Sequence, residues 1–197
     1  YRIESTGRVT VHQFNPINDI DVHSSDASLL LPLEGLGTEY RVMSWPTQFV
    51  YLDLVIPCEG DSDCTLSEVQ SCNQNTGICE GPIDIERSQV VMVGTSHEPT
   101  EVTIESPADF EVSDTHGSTT LYPALQSASF TLTRGAVLTL ATTAVDGADL
   151  TGMRLIADRE IAVFSSSSCA MIPHSTYACD HLEQQLMPTT TWGTKFV

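Results

Sequence analysis

The sequence predicts an all-β protein, an antiparallel β-sandwich-like domain carrying a small disulfide-rich insertion. Two observations point there: apolar residues alternate with period two through most of the 197-residue chain, with hardly a window that keeps a helical period, and Asn, Asp, Gly and Pro recur between these runs where short connections need them. The apolar share, 41%, is ample for a core, so disorder is not an option.

In order, the pattern predicts strands at 8–14, 28–31, 39–44 and 48–56, then at 88–94, 101–105, 129–133 and 137–142, and finally at 153–157 and 160–164. Asn15-Pro16, Asp146-Gly147 and Asp158-Arg159 supply the turns, at a spacing that suits a sandwich or barrel-like stack. The expected organisation is a β domain over 1–57, a cysteine-rich insertion over 58–82, and the β domain continued over 83–197.

Two sets of strings suggest an internal duplication. Arg2-Ile3 and Val9-Thr10-Val11 are echoed by Arg154-Leu155 and Ile161-Ala162-Val163, and Pro32 with Leu36-Gly37-Thr38-Glu39-Tyr40 by Pro188 with Trp192-Gly193-Thr194-Lys195-Phe196. A unit of about 150 residues, its second copy starting near residue 153, would explain both. Strands running into either end of the sequence suggest a segment of a longer protein.

Charge excludes more than it identifies. Eight basic against 26 acidic residues give a net charge of −18, and Lys195 is the only lysine. Such a surface repels phosphate backbones and anionic membranes, so nucleic acid is an improbable partner. No stretch approaches the roughly 20 apolar residues needed to span a bilayer, so membrane insertion is not expected either.

Four of the six cysteines, Cys58, Cys64, Cys72 and Cys79, fall in the insertion, too widely spaced for a zinc ribbon with its pairs about two to four residues apart. Two local disulfides fit better, with all three pairings open. Asp61 and Asp63 invite a calcium reading, but the twelve-residue loop grammar is missing. Acidic turn residues in a disulfide knob are the favoured reading, and no other cofactor is expected.

Cys169 and Cys179 look like the ends of a tied loop followed by a return strand, which implies an oxidising, extracellular compartment. Asp180 and His181 then read as a structural strut: one imidazole nitrogen donating to a carboxylate or carbonyl fixes the chain after the loop. Trp192, before Gly193, reads as a core plug at a turn, and Trp45, before Pro46, as the more exposed tryptophan.

A hydrolase needs a nucleophile on a strained strand-to-helix turn. The run Ser165-Ser166-Ser167-Ser168 with Asp180 and His181 has the residue types without that setting. His181 and Glu183 lack the four-residue histidine spacing of a metalloprotease helix. No catalytic residue is assigned.

The strings Leu31-Pro32-Leu33-Glu34-Gly35-Leu36-Gly37-Thr38-Glu39-Tyr40, Asp149-Leu150-Thr151-Gly152-Met153 with Ala157-Asp158, Ile161-Ala162-Val163-Phe164-Ser165, and Cys179-Asp180-His181-Leu182-Glu183-Gln184 with Trp192-Gly193 resemble the N-terminal domain of the IgG-Fc-binding protein family. That family occurs in mucin-associated animal proteins and in secreted bacterial ones, so the resemblance implies an extracellular, non-catalytic module. The insertion resembles the Dickkopf-type cysteine-rich segments of secreted bacterial proteins. One departure stands out: four serines follow Phe164 where the family has a Gly-His step before the cysteine. Immunoglobulin binding belongs to particular animal members and is not carried over to residues here.

The expectation is therefore a non-enzymatic β module of a larger secreted or cell-surface protein, acting in adhesion or in protein or glycan binding through the knob or the tied loop. Alternatives are a structural subunit of an extracellular fibre, sheath or matrix, with copies of itself as partners, and, remotely, a hydrolase.

Overall fold

The computed structural model describes residues 3–15, 26–50, 56–65, 70–82, 84–114, 116–173 and 179–195. Residues 51–55 of the expected strand 48–56, Pro16 of the Asn15-Pro16 turn, and Arg2 and Phe196 of the paired strings lie outside the described residues. Fifteen strands and three short 3-10 turns appear, with no α-helix among the described residues.

The strands are β1 (Val11–Asn15), β2 (Asp26–Leu30), β3 (Gly37–Arg41), β4 (Gln48–Val50), β5 (Ser71–Asn73), β6 (Ile78–Glu80), β7 (Asp84–Glu86), β8 (Gln89–Gly94), β9 (Thr100–Glu105), β10 (Phe110–Ser113), β11 (Thr119–Tyr122), β12 (Ser127–Leu132), β13 (Val137–Thr142), β14 (Arg154–Ala170) and β15 (Asp180–Gln185). The 3-10 turns are Leu33–Gly35, Asp61–Asp63 and Thr189–Thr191.

Nine strands form one antiparallel sheet with β14 as its spine. Along one edge of β14, β9 pairs with residues 154–157 and β8 with residues 161–166. Along the other edge, β3 covers the first half and β15 the second. Outward from there, β12 continues β9 and β13 continues β8. Three long antiparallel runs therefore change direction together at 95–99, 133–136 and 158–160, and the sheet folds over itself into a near-barrel.

The bend explains a correction. Asp158-Arg159 is not a turn, and the two strands expected on either side of it are one 17-residue strand with a register shift between Ile156 and Ile161. The polar residues serve the irregularity. Asp158 Oδ1 accepts the Glu101 N–H at 2.9 Å, Arg159 donates to the Pro99 carbonyl at 2.9 Å, and Thr95 Oγ1 donates to the Glu160 carbonyl at 2.5 Å. These bonds satisfy donors and acceptors that an interrupted ladder leaves open. At the same level the end of β8 passes so close to the exit of β12 that a Cβ on Gly94 would strike the Thr133 carbonyl oxygen. Only glycine fits there.

Both halves of the folded sheet face one core. Tyr40, Val102, Ile104 and Leu155 from one half meet Val90, Met92, Phe110, Leu140, Ile161 and Val163 from the other. Each fully buried aliphatic side chain of this kind contributes about 1.5–3 kcal/mol. Phe110 stacks on Tyr122 with ring centroids 5.0 Å apart, and Phe130 meets Tyr122 edge-on. Tyr40 is wholly enclosed, so its hydroxyl needs partners. It donates to the Ile161 carbonyl at 2.7 Å and accepts the Gly37 N–H at 2.9 Å.

The Asp149-to-Met153 string has an equally local reason. Asp149 Oδ1 accepts from Ser44 Oγ at 2.9 Å and from the Thr151 N–H at 2.8 Å, while Ser44 Oγ also bonds Ser88 Oγ at 2.7 Å. Gly152 takes φ +93°, a conformation that favours glycine, and Leu150 and Met153 close over the core. One carboxylate thus fastens the entry to β14 against the segment after β3.

The exposed flank of β15 is closed by side chains instead of a further ladder. Asp26 Oδ2 and Ser28 Oγ on β2 accept the Glu183 and Gln185 N–H groups at 2.6 and 2.7 Å, and Gln185 Oε1 accepts the Leu31 N–H at 2.7 Å. An edge treated this way offers few free N–H groups to another chain.

The paired proline strings share local geometry: Pro32 and Pro188 each precede a 3-10 turn with φ −64° and −62°. The second string packs against the start of β3, where Gly37 sits so close to Pro188 that a Cβ would fall 2.5 Å from the proline Cβ. The other strings differ, since Val9 and Thr10 precede β1 whereas Ile161 to Val163 lie inside β14.

Candidate functional site

The knob is built on a crossed pair of disulfides, Cys58–Cys72 and Cys64–Cys79, with Cα atoms 5.8 and 5.6 Å apart. The sequence left three pairings open. The hairpin of β5 and β6 places Cys72 opposite Cys79, and each bonds back to an earlier cysteine, Cys72 to Cys58 and Cys79 to Cys64. The half-cystines are themselves the interior, joined by Ile56. Three of the sulfurs lie close together, but all are oxidised and offer no thiolate to a metal.

Asp61 and Asp63, the calcium candidates, are engaged by the knob's own backbone. Asp61 Oδ1 accepts the Cys72 N–H at 2.8 Å, and Asp63 Oδ2 accepts the Glu59 and Gly60 N–H groups at 2.8 and 3.1 Å. Those two N–H donors hold the Asp63 carboxyl below its ordinary pKa.

The stem of the knob is the β4–β7 pair, Gln48 lying opposite Glu86. Gln48 is fully buried, and its amide clamps the far loop: Nε2 donates to the Met171 carbonyl at 3.2 Å, and Oε1 accepts the Met171 N–H at 2.7 Å. Beside it, the Ser168 hydroxyl donates to Glu86 Oε2. Burial raises the Glu86 pKa; the Ser168 hydrogen bond opposes the rise and the charge of Asp84 adds to it.

Cys169 and Cys179 are joined in a disulfide at the end of β14, Cα atoms 5.0 Å apart, and β15 returns from it along β14 with a bulge between Ser167 and Ala170. Within β15, His181 Nε2 stands 3.8 Å from Glu183 Oε2, while Asp180 is exposed at the strand's start. The serine run lies along β14 with Ser165 and Ser167 turned inward, on extended strand and not on a strained turn.

The tied loop and the stem that carries the knob thus meet at one end of β14, joined through Gln48–Met171 and Ser168–Glu86. At this junction Ile172 and Pro173 are exposed, and beyond the stem Glu59, Asp61, Asp63 and Glu80 of the knob are exposed too. Exposed loops held on a rigid scaffold suit contact with another macromolecule. The sequence missed this junction, although a glutamine inside an otherwise apolar strand was a usable signal, since a buried amide needs partners.

The two tryptophans exchange the expected roles. Trp192 is 56% exposed and its Nε1 donates to the Met187 carbonyl at 3.4 Å, while Trp45 is half-buried with its indole nitrogen enclosed. The reason is that Pro188 fills the place against Gly37, leaving Trp192 and Gly193 outside.

A family described as IgGFc binding protein matches residues 26–197. The chain belongs to that family. Its members are described by a binding function and not by a reaction. An IgGFc-binding protein of Homo sapiens is 27% identical to this IgGFc-binding family member over 195 residues, 99% of the chain and 3% of that relative. The chain therefore spans a small fraction of the relative's length. No solved structure matches it. The three disulfides fit an extracellular protein, and among the described residues no helix is long and apolar enough to cross a membrane.

Proposed function

We propose that the chain is a non-catalytic extracellular binding module that holds a protein partner through the surface where the knob stem and the tied loop meet, and that this contact serves adhesion. The observation that carries the reading is the clamp between the knob stem and the tied loop, in which a fully buried glutamine of β4 bonds both backbone groups of Met171. Loops held by disulfides and by each other lose little conformational freedom on binding, which favours affinity. Family membership supports a protein ligand over a substrate, and the human relative's name suggests the immunoglobulin Fc fragment as one probe.

The test is a screen of the module against arrayed secreted proteins, Fc and glycans. The expected result is a protein hit that is lost when residues 60–78 are replaced by a short Gly/Ser linker while the core stays folded by near-ultraviolet circular dichroism. Hits confined to glycans, or a protein hit indifferent to that replacement, would overturn the reading.

A further inference from the structure

Far along β14 from the two loops, at its first residues, lies a cleft of about 340 Å³ lined by Glu105, Ser106, Pro107, Leu125, Gln126, Ser127 and Gly152. We infer that this cleft receives a basic side chain, lysine or arginine, of a protein partner. Three independent features of the molecule converge on it.

First, Leu125 stands at its lip in a backbone conformation that leucine rarely takes. Its φ is +61°, and among the described residues it is the one non-glycine with a positive φ. The conformation is held by the Leu125 N–H donating to the Ser106 carbonyl at 2.9 Å and the Ala124 N–H donating to Asp109 Oδ1 at 2.7 Å. Left-handed leucine costs about 1–2 kcal/mol, yet the side chain is 88% exposed and returns nothing to the core. Strain maintained without packing gain marks positions used for contact.

Second, the lining has the two halves that a lysine or arginine needs. Leu125 and Pro107 offer apolar surface to an alkyl stem, and Glu105 with the amide and hydroxyl of Gln126 and Ser127 offers oxygens to its charged head. Glu105 has capacity for a second cation. Arg154 makes its close contact with Glu39, Nε to Oε1 at 2.9 Å, and reaches Glu105 only at 3.6 Å, while the Glu105 side chain remains 48% exposed.

Third, the net charge of −18 draws cationic partners toward the surface and disfavours anionic ones. The cleft then selects within that attraction, because it combines a half-free carboxylate with an apolar wall.

The direct test is an NMR titration of the folded chain with a capped alanine–lysine–alanine tripeptide, the same peptide with norleucine in place of lysine, and its arginine counterpart. The expected result is saturable shifts of the Leu125 methyls and the Gln126 and Ser127 amides with the lysine or arginine peptide and none with norleucine. Binding should weaken about three- to fivefold in Glu105→Gln and also in Leu125→Gly, a surface change that relieves the positive φ and leaves folding intact. Equal shifts with norleucine, unchanged titration in both variants, or shifts scattered over the acidic surface without saturation would overturn the inference. Because the cleft and the tied loops occupy opposite ends of β14, either site can fail without the other.

Discussion

At the scale of single residues, close approach and buried hydroxyls decide more than charge does. Gly94 and Gly37 each sit where any side chain would strike a neighbour, the first a backbone carbonyl and the second a proline ring. Gly94→Ala is expected to lower the unfolding free energy by about 2–3 kcal/mol in urea titrations. An unchanged midpoint would show that the bend between β8 and β9 can open without cost. Tyr40→Phe removes the partner of the Ile161 carbonyl and the Gly37 N–H at once, and a loss of about 2 kcal/mol is expected. Glu86 makes a prediction about pH. Burial raises its pKa, so the folded chain binds that proton more tightly than the unfolded chain. The group's contribution is full below the ordinary carboxylate pKa and is lost as pH rises through the raised value. Glu86→Gln, which can still accept from Ser168, should therefore flatten that part of the stability profile and raise stability at neutral pH. A profile that overlays the parent's would contradict the burial argument.

At the scale of elements, alternation and turn chemistry read the larger strands well, because β8, β9, β12 and β13 bury alternate residues and Gly94, Pro107, Gly135 and Asp146 stand at or soon after their ends. The sequence was silent on β10 and β11, whose Thr119-to-Tyr122 edge is largely exposed and so lacks a clear apolar face. It misread β14, because Asp158-Arg159 has turn chemistry but serves a bulge within a continuous strand. The knob's existence was legible in its cysteines while its crossed pairing was not, since pairing depends on how the chain brings Cys58 and Cys64 to the β5–β6 hairpin. Each knob disulfide closes a separation of 14 or 15 residues, an effect of about 3 kcal/mol. Replacing Cys58 and Cys72 by serine should accelerate amide exchange through β5 and β6 and leave β8 and β13 protected, because the knob's interior is separate from the main core. Acceleration in both would mean that knob and sheet unfold as one unit.

At the scale of the whole molecule, one long bent strand carries a different surface at each end. Its start supports the Leu125 cleft, and its finish carries the junction of the knob stem and the tied loop. Sequence reasoning named both loops as binding candidates but could not see that the stem of one meets the other, because Gln48 and Met171 lie 123 residues apart in the chain. That adjacency of stem and tied loop is what the proposed composite surface rests on. Hydrogen exchange of the module alone and with the protein partner recovered from the array tests this most directly. Protection is expected together in the knob, residues 56–65 and 70–82, and in the tied loop's flanks, residues 169–173 and 179–183. Protection confined to one loop, or found at neither, would contradict a single composite surface.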